Sequence, residues 1–572
     1  RSEAAAAGMA MLERGGNAVD AAVAVGWAAA VIEPMDTSIG GSGLMLVHDP
    51  DAGKTWSVEF PPRAPRAARP GIYEVLDSRD ATRLLGVSVV RDDANSEGWL
   101  APGVPGTVAG LCLAHERFGR MPREEVMEPA IELADDGFAA DAYYALQALA
   151  NLNYLRRDRE AARLFLADGL PPVPAFLGRA TLAAPPIVCQ PDLAETLRAI
   201  ARDGPAVFYT GEIAEAMASE VSAHGGLLDR QDLARYRATI ERPLRRRYRD
   251  TEVFVPRCPA GGWTELQLLA LLERFDLEAL GHNSPEALQA LIESSRHAFA
   301  DRYHYFGDPD EVAVPLEGIL SDTYAEEIAG QIAPDRAGFR FDLDAGHPWE
   351  AFAFRAAHDA WRHDRGHPVA PPPVDVLRYS AASGGGGTTH FSVIDSQGMT
   401  VSCTHSAANA FGSKVIPKGT GVLLDSAMVW FNAQPGAANS IAPGRRPLVN
   451  MGPLLALRDG QPLLATGAPG GRRLTSALVQ ILSNVVDFEM PVGEAVAAPR
   501  IDASGLTVLA STRIPSSTRE RLASMGHPMT DVEEEHEPFS YELARPIAAM
   551  IDDTGTRRGS ADPFTVGVAM AR

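Results

Sequence analysis

Two neighbouring stretches of the chain alternate apolar and polar residues with a period of two. Residues 389–395 read Thr-His-Phe-Ser-Val-Ile-Asp, and the alternation resumes over 399–406 after Ser396-Gln397-Gly398. This pattern predicts a hairpin with Gly398 as its left-handed turn residue. Pairing Asp395 with Met399 sets Thr388 opposite Ser406, their Cβ atoms about 4.5–5.5 Å apart. Thr388, His390 and Ser392 then share a hydroxyl-rich surface with Thr400, Ser402, Thr404 and Ser406. Phe391 and Val393 share the core face with Met399, Val401 and Cys403, and a slip of one residue would destroy this sorting. An ordinary half-solvated hairpin, in which threonine and serine merely suit strands, accounts for the same pattern.

The first two-thirds of the chain reads as mixed and largely helical. Helices are expected over 2–13, 20–32, 123–136, 193–203, 213–224, 263–275 and 285–305. Gly15-Gly16 stops the first, and Ser284-Pro285 opens the last with proline at its first position. The texture changes over about 363–387, where Pro371-Pro372-Pro373 and the run Gly384 to Gly387 mark a linker or mobile loop. Beyond it, strands are expected over 389–395, 399–406, 421–425, 453–458 and 461–466, then a helix over 473–488. A helix-rich part and a strand-rich part thus meet at Thr388.

That junction carries the first candidate chemistry. If the Gly387–Thr388 bond breaks, Thr388 gains a free α-amine beside its own hydroxyl, so one event supplies both nucleophile and base. A second candidate is Gly467-Ala468-Pro469-Gly470-Gly471, which links an expected strand to an expected helix. Paired glycines at a helix N-terminus present N–H groups to an anion, as an oxyanion hole requires; a purely structural turn fits equally well. Gly40-Gly41-Ser42-Gly43 resembles part of a dinucleotide loop, but its spacing is wrong.

Composition narrows the classes of function. The net charge of -22, from 52 basic and 74 acidic residues, lacks the basic footprint that nucleic acid or an anionic membrane demands. No apolar run reaches the roughly 18–20 residues of a membrane span. The four cysteines form no CxxC pair and predict neither zinc nor a disulfide framework. His358, His363 and His367 lack the i, i+4 spacing of a helical metal site, so no metal and no cofactor is expected. The chain begins at Arg1 rather than Met, which leaves room for a removed targeting peptide and leaves the compartment open.

Taken together, the motifs resemble the γ-glutamyltranspeptidase family of N-terminal nucleophile hydrolases. The resemblance runs in order through GGNAVDAAVA (15–24), IGGSGLML (39–46), VPGTVAGL (104–111), FYTGEIAEAM (208–217), GGLLDRQDLARY (225–236), TTHFSVID (388–395) and TGAPGGRRL (466–474). It implies an α+β fold, the αββα four-layer sandwich, and autocleavage between Gly387 and Thr388 into associated fragments 1–387 and 388–572. By position it makes Thr388 the nucleophile, Ser406 the hydroxyl that bonds the new α-amine, and Gly470 and Gly471 the oxyanion hole. The substrate would be a small amide, with water or an amine as acceptor.

The recognition residues depart from the family pattern. The position of its carboxylate-binding arginine falls on Pro61, and its two serines after R-P-L fall on Val449 and Asn450. Its aspartate before phenylalanine falls on Trp430, and its asparagine near the end of the second strand falls on Ala408. Losing two charge partners weakens a γ-glutamyl ligand on the order of 10²–10⁴-fold. The expected acyl group is therefore not a free γ-glutamyl zwitterion but a more apolar one. Arg63, Asn450 and Asn409 are the candidates for compensation, which leaves true γ-glutamyl transfer as one alternative. An unprocessed, non-catalytic binding or scaffold protein on the same fold is another.

Overall fold

A computed structural model describes residues 1–76, 90–173, 185–338, 359–366, 387–505, 507–534 and 542–571. Most of the expected linker over 363–387 lies outside these residues, as do Gly384 to Gly386, His358 and His367.

The fold begins with two stacked helices, α1 (Ser2–Glu13) and α2 (Ala18–Ile32). Asn17 starts α2 with a capping box. Its side chain accepts from the Val19 and Asp20 N–H groups at 2.9 and 3.0 Å, and the Asp20 carboxylate accepts from the Asn17 N–H at 2.9 Å. Every residue of α2 is buried, as an all-round apolar helix requires.

Two antiparallel sheets follow. The first takes β1 (Ser42–Asp49), β2 (Lys54–Phe60), β3 (Thr239–Glu241), β6 (Thr388–Ile394) and β7 (Thr400–Ser406), in the order β3-β2-β1-β7-β6. The second takes β4 (Leu244–Tyr248), β5 (Thr251–Val255), β8 (Leu454–Arg458), β9 (Gln461–Gly467), β10 (Ile547–Ile551) and β11 (Arg557–Ala561), in the order β11-β10-β9-β8-β5-β4. Helices α1, α2 and α3 (Thr107–Phe118) cover the outer face of the first sheet. Helices α4 (Gly261–Leu272), α5 (Pro285–Tyr305) and α6 (Arg473–Val486) cover the second. The inner faces pack on one another, with Leu46 against Phe254, Leu455 and Leu457. This is the expected αββα sandwich.

The sheets correct the division of the chain at Thr388 into helical and strand-rich parts. Five strands of these two sheets come from before Thr388, and both sheets are assembled from both sides of that residue. The missed strand β1 is a nearly continuous apolar run buried on both faces, so period-two alternation cannot mark it. Residues 421–425, expected as a strand, form only an isolated bridge from Leu424 to Gly40. Their hydrogen bonds go instead to loop partners: Leu424 to Ser413 and Val415, Leu423 to Ser38 and Asp425 to Gly40.

The hairpin has the expected register. Thr388 pairs with Ser406, His390 with Thr404 and Ser392 with Ser402, and Gly398 turns at φ +89°. The Asp395 carboxylate accepts from the Gln397 and Met399 N–H groups, and from the first amide of α2 at Ala18. The hydroxyl-rich face is not solvated, however. Thr400, Ser402, Thr404 and Ser406 are completely buried between the sheets. Their hydroxyls are satisfied there, as when Ser402 donates to the Thr466 carbonyl at 3.1 Å.

Candidate active site

At the open end of β6, three groups form one chain of hydrogen bonds. The Ser406 hydroxyl donates to the Gly387 carbonyl at 2.7 Å, and the Ala407 N–H donates to the same oxygen at 2.8 Å. Thr388 Oγ1 lies 2.9 Å from Ser406 Oγ. Because the single Ser406 proton is committed to Gly387, Thr388 is the donor in this contact. Ser406 Oγ also accepts from the Ala408 N–H at 3.0 Å, which fixes its lone pairs. The carbonyl before Thr388 is thus gripped by two donors, and the Thr388 hydroxyl is held beside them. Sequence reasoning placed Ser406 opposite Thr388 but missed both contacts to Gly387.

Glycine before Thr388 has a steric reason. A Cβ at Gly387 would lie 2.4 Å from the Asn409 carbonyl carbon and oxygen, so the Asn409 backbone admits no side chain there. This is the described contribution of Asn409, and it is made by main chain.

His390 shares the inner face, two residues from Thr388. Its Nδ1 meets Thr404 Oγ1 at 3.0 Å and its Nε2 meets Ser392 Oγ at 2.9 Å. Burial pushes its pKa down to about 3, so the ring is neutral and fully engaged. A Cβ at Gly467 would sit 2.1 Å from His390 Nδ1, which brings the end of β9 directly over the ring.

Three residues further on, Gly470 and Gly471 take φ of +138° and +61°. A Cβ on Gly470 would lie 2.6 Å from Ala544 Cβ, so this turn needs glycine twice over. Among the described residues, neither glycine N–H has a backbone acceptor. Thr388 and Pro469 line a common cavity of about 730 Å³ along the outer edge of β6, but Gly470, Gly471, Trp430 and Val449 do not line it.

Trp430, Val449 and Ala408 come together as the sequence suggests. They form an apolar cluster with Leu44, Cys258, Ala260, Ala427, Val429 and Met451. Two polar side chains, both missed in the sequence, lock this wall. Asn439 donates to the Trp430 carbonyl at 2.7 Å and accepts from the Leu448 N–H at 2.9 Å. Arg302 on α5 donates to the Val449 carbonyl at 3.0 Å and to Asn450 Oδ1 at 2.9 Å. Burial lowers the Arg302 pKa to about 10, which still leaves it charged.

Two of the proposed compensating residues already have protein partners. Asn450 faces Arg302, and Arg63 donates to the Gly444 carbonyl at 3.1 Å. Arg63 and Pro61 line a separate polar cavity of about 520 Å³ that does not include Thr388. His363 is held by Thr323 at 3.0 Å and Glu327 at 2.9 Å.

A four-layer sandwich with a threonine hydroxyl at the open end of a sheet's edge strand defines the N-terminal nucleophile hydrolase fold. The sequence profile described as Gamma-glutamyltranspeptidase matches residues 4–571, and the chain belongs to that family of hydrolytic and transferase enzymes. It is 34% identical over 505 residues to a glutathione hydrolase proenzyme of Pseudomonas sp. strain A14, covering 86% of this chain and 78% of that protein. It is also 34% identical over 527 residues to an acylase ACY 1 proenzyme of Pseudomonas sp. strain V22, covering 92% and 85%. The fold is shared with a cephalosporin acylase from Bacillus halodurans, at a TM-score of 0.78 and 24% identity over 98% of this chain and 92% of that one. Among the described residues no helix is long and apolar enough to cross a membrane.

Proposed function

We propose that this chain cleaves itself before Thr388 and then acts as an amidohydrolase or acyltransferase through a threonyl acyl-enzyme. The observation that carries the reading is the Thr388–Ser406–Gly387 hydrogen-bond chain. In the uncut chain, Thr388 Oγ1 attacks the Gly387 carbonyl carbon. The developing oxyanion lies where the Ser406 hydroxyl and Ala407 N–H already point. The C–N bond then breaks, the hydroxyl proton ends on the departing nitrogen, and water hydrolyses the resulting ester. Fragment 1–387 is left with a carboxylate and fragment 388–572 with a free α-amine.

In turnover, that amine takes the Thr388 hydroxyl proton as Oγ1 attacks the substrate amide. It returns the proton to the leaving amine, and the N–H groups of Gly470 and Gly471 stabilise the oxyanion. Water or an amine then resolves the acyl-enzyme. The acyl group is not a free γ-glutamyl zwitterion. Trp430, Val449 and Ala408 pack in one apolar cluster, Asn450 is held by Arg302, and Arg63 lines a cavity that does not include Thr388.

Mass analysis under denaturing conditions, with a panel of anilides, tests both halves of this reading. Two fragments are expected, the smaller beginning at Thr388, with glutaryl or simple fatty acyl anilides turned over faster than the γ-glutamyl anilide. A chain that stays at 61.0 kDa on incubation refutes the catalytic half. Robust turnover of the γ-glutamyl compound alone refutes the substrate half.

The base also sets the pH profile. A free α-amine has a reference pKa of about 7.7–8.0 and must be neutral to accept the proton. The kcat/KM value is therefore expected to rise with pH through one ionisation at about 7–8 and then level off. A limb near 3 would instead implicate His390.

A further inference from the structure

Two acidic residues stand where the fold gives their charge least support. Glu33 is the C-cap of α2, and Asp36 closes the turn that follows, its N–H donating to the Glu33 carbonyl at 2.8 Å. The C-terminal end of a helix carries partial negative charge, which disfavours a carboxylate there. Both residues are nonetheless buried, each 5% exposed. Tyr143 donates to Asp36 Oδ1 at 2.8 Å, and among the described residues Asp36 Oδ2 has no hydrogen-bond partner. Glu33 and Asp36 line the cavity of about 730 Å³ that Thr388 also lines.

The pair lies beside the Gly387–Thr388 bond. The Ala407 N–H donates to the Gly387 oxygen at 2.8 Å and also to the Asp36 carbonyl at 3.2 Å. The Thr389 hydroxyl is close enough to Glu33 to act on its carboxylate. The peptide plane sets the direction. In a trans peptide the C=O and the N–H point opposite ways, and no described peptide is cis. The Gly387 oxygen points at Ser406 and Ala407, at the end of β7. The Thr388 N–H therefore points away from β7, to the free edge of the sheet. The shared cavity runs along that edge, with Glu33 and Asp36 in its wall.

The two carboxyls differ in charge. Burial, and after it the Glu33 carboxylate, push the Asp36 pKa well above the usual carboxylate range. Glu33 is buried as well, but Arg1 holds it below that range, with the Arg1 nitrogen donating at 3.1 Å. The other groups facing the pair are Tyr143, His405, kept neutral by burial, and Asp141, which binds the Arg1 guanidinium at 3.1 Å. Asp36 is thus a carboxylic acid with a proton to give, and the Glu33 charge keeps it so.

We propose that Asp36 donates the proton that the Thr388 nitrogen receives when the Gly387–Thr388 bond breaks. The inference rests on the self-cleavage read above and names its proton donor. As Thr388 Oγ1 bonds to the Gly387 carbon, its proton passes to water, for which the cavity has ample room. The C–N bond then breaks with its electron pair left on nitrogen, and the nitrogen takes the Asp36 proton. The Asp36 carboxylate recovers a proton from that water. The net transfer is from hydroxyl to nitrogen, and no charge is gained or lost.

The half-time of the uncut chain after cell-free synthesis, followed against pH, tests the proposal. Wild-type cleavage is expected to be level at low pH and to fall about tenfold per pH unit once Asp36 ionises. Asp36→Asn can keep the Tyr143 bond but has no acidic proton. It should be cut about 100-fold more slowly at low pH, the lower end of general acid catalysis, and should lack the fall. Glu33→Gln should keep the fall but move it to lower pH, because the charge that holds the proton on Asp36 is gone. Equal rates in Asp36→Asn and wild type overturn the proposal. So does a slow Asp36→Asn that keeps the wild-type fall, which would mark a structural role. If Asp36→Asn does not fold, Glu33→Gln decides: a fall moved to lower pH supports the proposal, and an unmoved one overturns it. A wild-type chain that stays uncut sinks the self-cleavage reading together with this one, whereas a cut wild type beside an unaffected Asp36→Asn sinks this one alone.

Discussion

Thr388→Ala is expected to give a single uncut chain of 61.0 kDa and to abolish turnover. The substitution removes the atom that attacks in both reactions. Without cleavage the α-amine never forms, so the base is lost together with the nucleophile. Deleting a covalent nucleophile costs on the order of 10⁴–10⁶-fold in kcat, and here the two losses coincide. The variant should still fold. Thr388 contributes one hydroxyl contact, to Ser406, and Ser406 retains its bonds to the Gly387 carbonyl and the Ala408 N–H. Intact mass after prolonged incubation, together with an unshifted melting curve, checks the prediction. Fragments beginning at residue 388 in this variant would assign cleavage to another group.

Ser406→Ala is the second large effect. It removes one of two donors on the Gly387 oxygen and leaves the Ala407 N–H at 2.8 Å. Loss of one oxyanion donor is worth about 10²–10³-fold, so cleavage should slow by that factor rather than stop. The Ala408 N–H also loses its acceptor, at a stability cost of about 1–3 kcal/mol. Ser406→Thr keeps the hydroxyl and should process at a rate near wild type. The half-time for disappearance of the uncut chain measures all three. Equal half-times for Ser406→Ala and wild type would mean that Ser406 plays no part in the first reaction.

What could be read beforehand follows from where information is local. The hairpin register was legible because its sorting of hydroxyl and apolar residues admits one alignment and Gly398 fixes the turn. The start of α5 was legible because Ser284 and Pro285 spell it out. Strand β1 escaped because burial on both faces removes the alternation that would mark it. The partners of the site escaped for a different reason. Arg302 lies 147 residues from Val449 along the chain, and Asp36 shares the Ala407 N–H with Gly387 across an even longer separation. No spacing rule connects such positions; the sandwich does.

Ala408 shows the same division. Sequence marked it as a replaced asparagine, but only the structure places it in the left-handed region, at φ +74°. Asparagine tolerates that conformation better than alanine does. The backbone shape at 408 would therefore suit the asparagine that the family resemblance puts there.

The interleaving of strands across residue 388 has a thermodynamic consequence. While the chain is whole, β1 finds β7 and β5 finds β8 as parts of one molecule, at a high effective concentration. Cutting at Thr388 breaks no ladder between these strands, so the folded particle persists. Once unfolded, however, the two pieces must meet by diffusion, and refolding becomes a second-order process that dilution defeats. Cleavage would turn a reversible fold into one that is assembled a single time, with its lifetime set by the rate of unfolding.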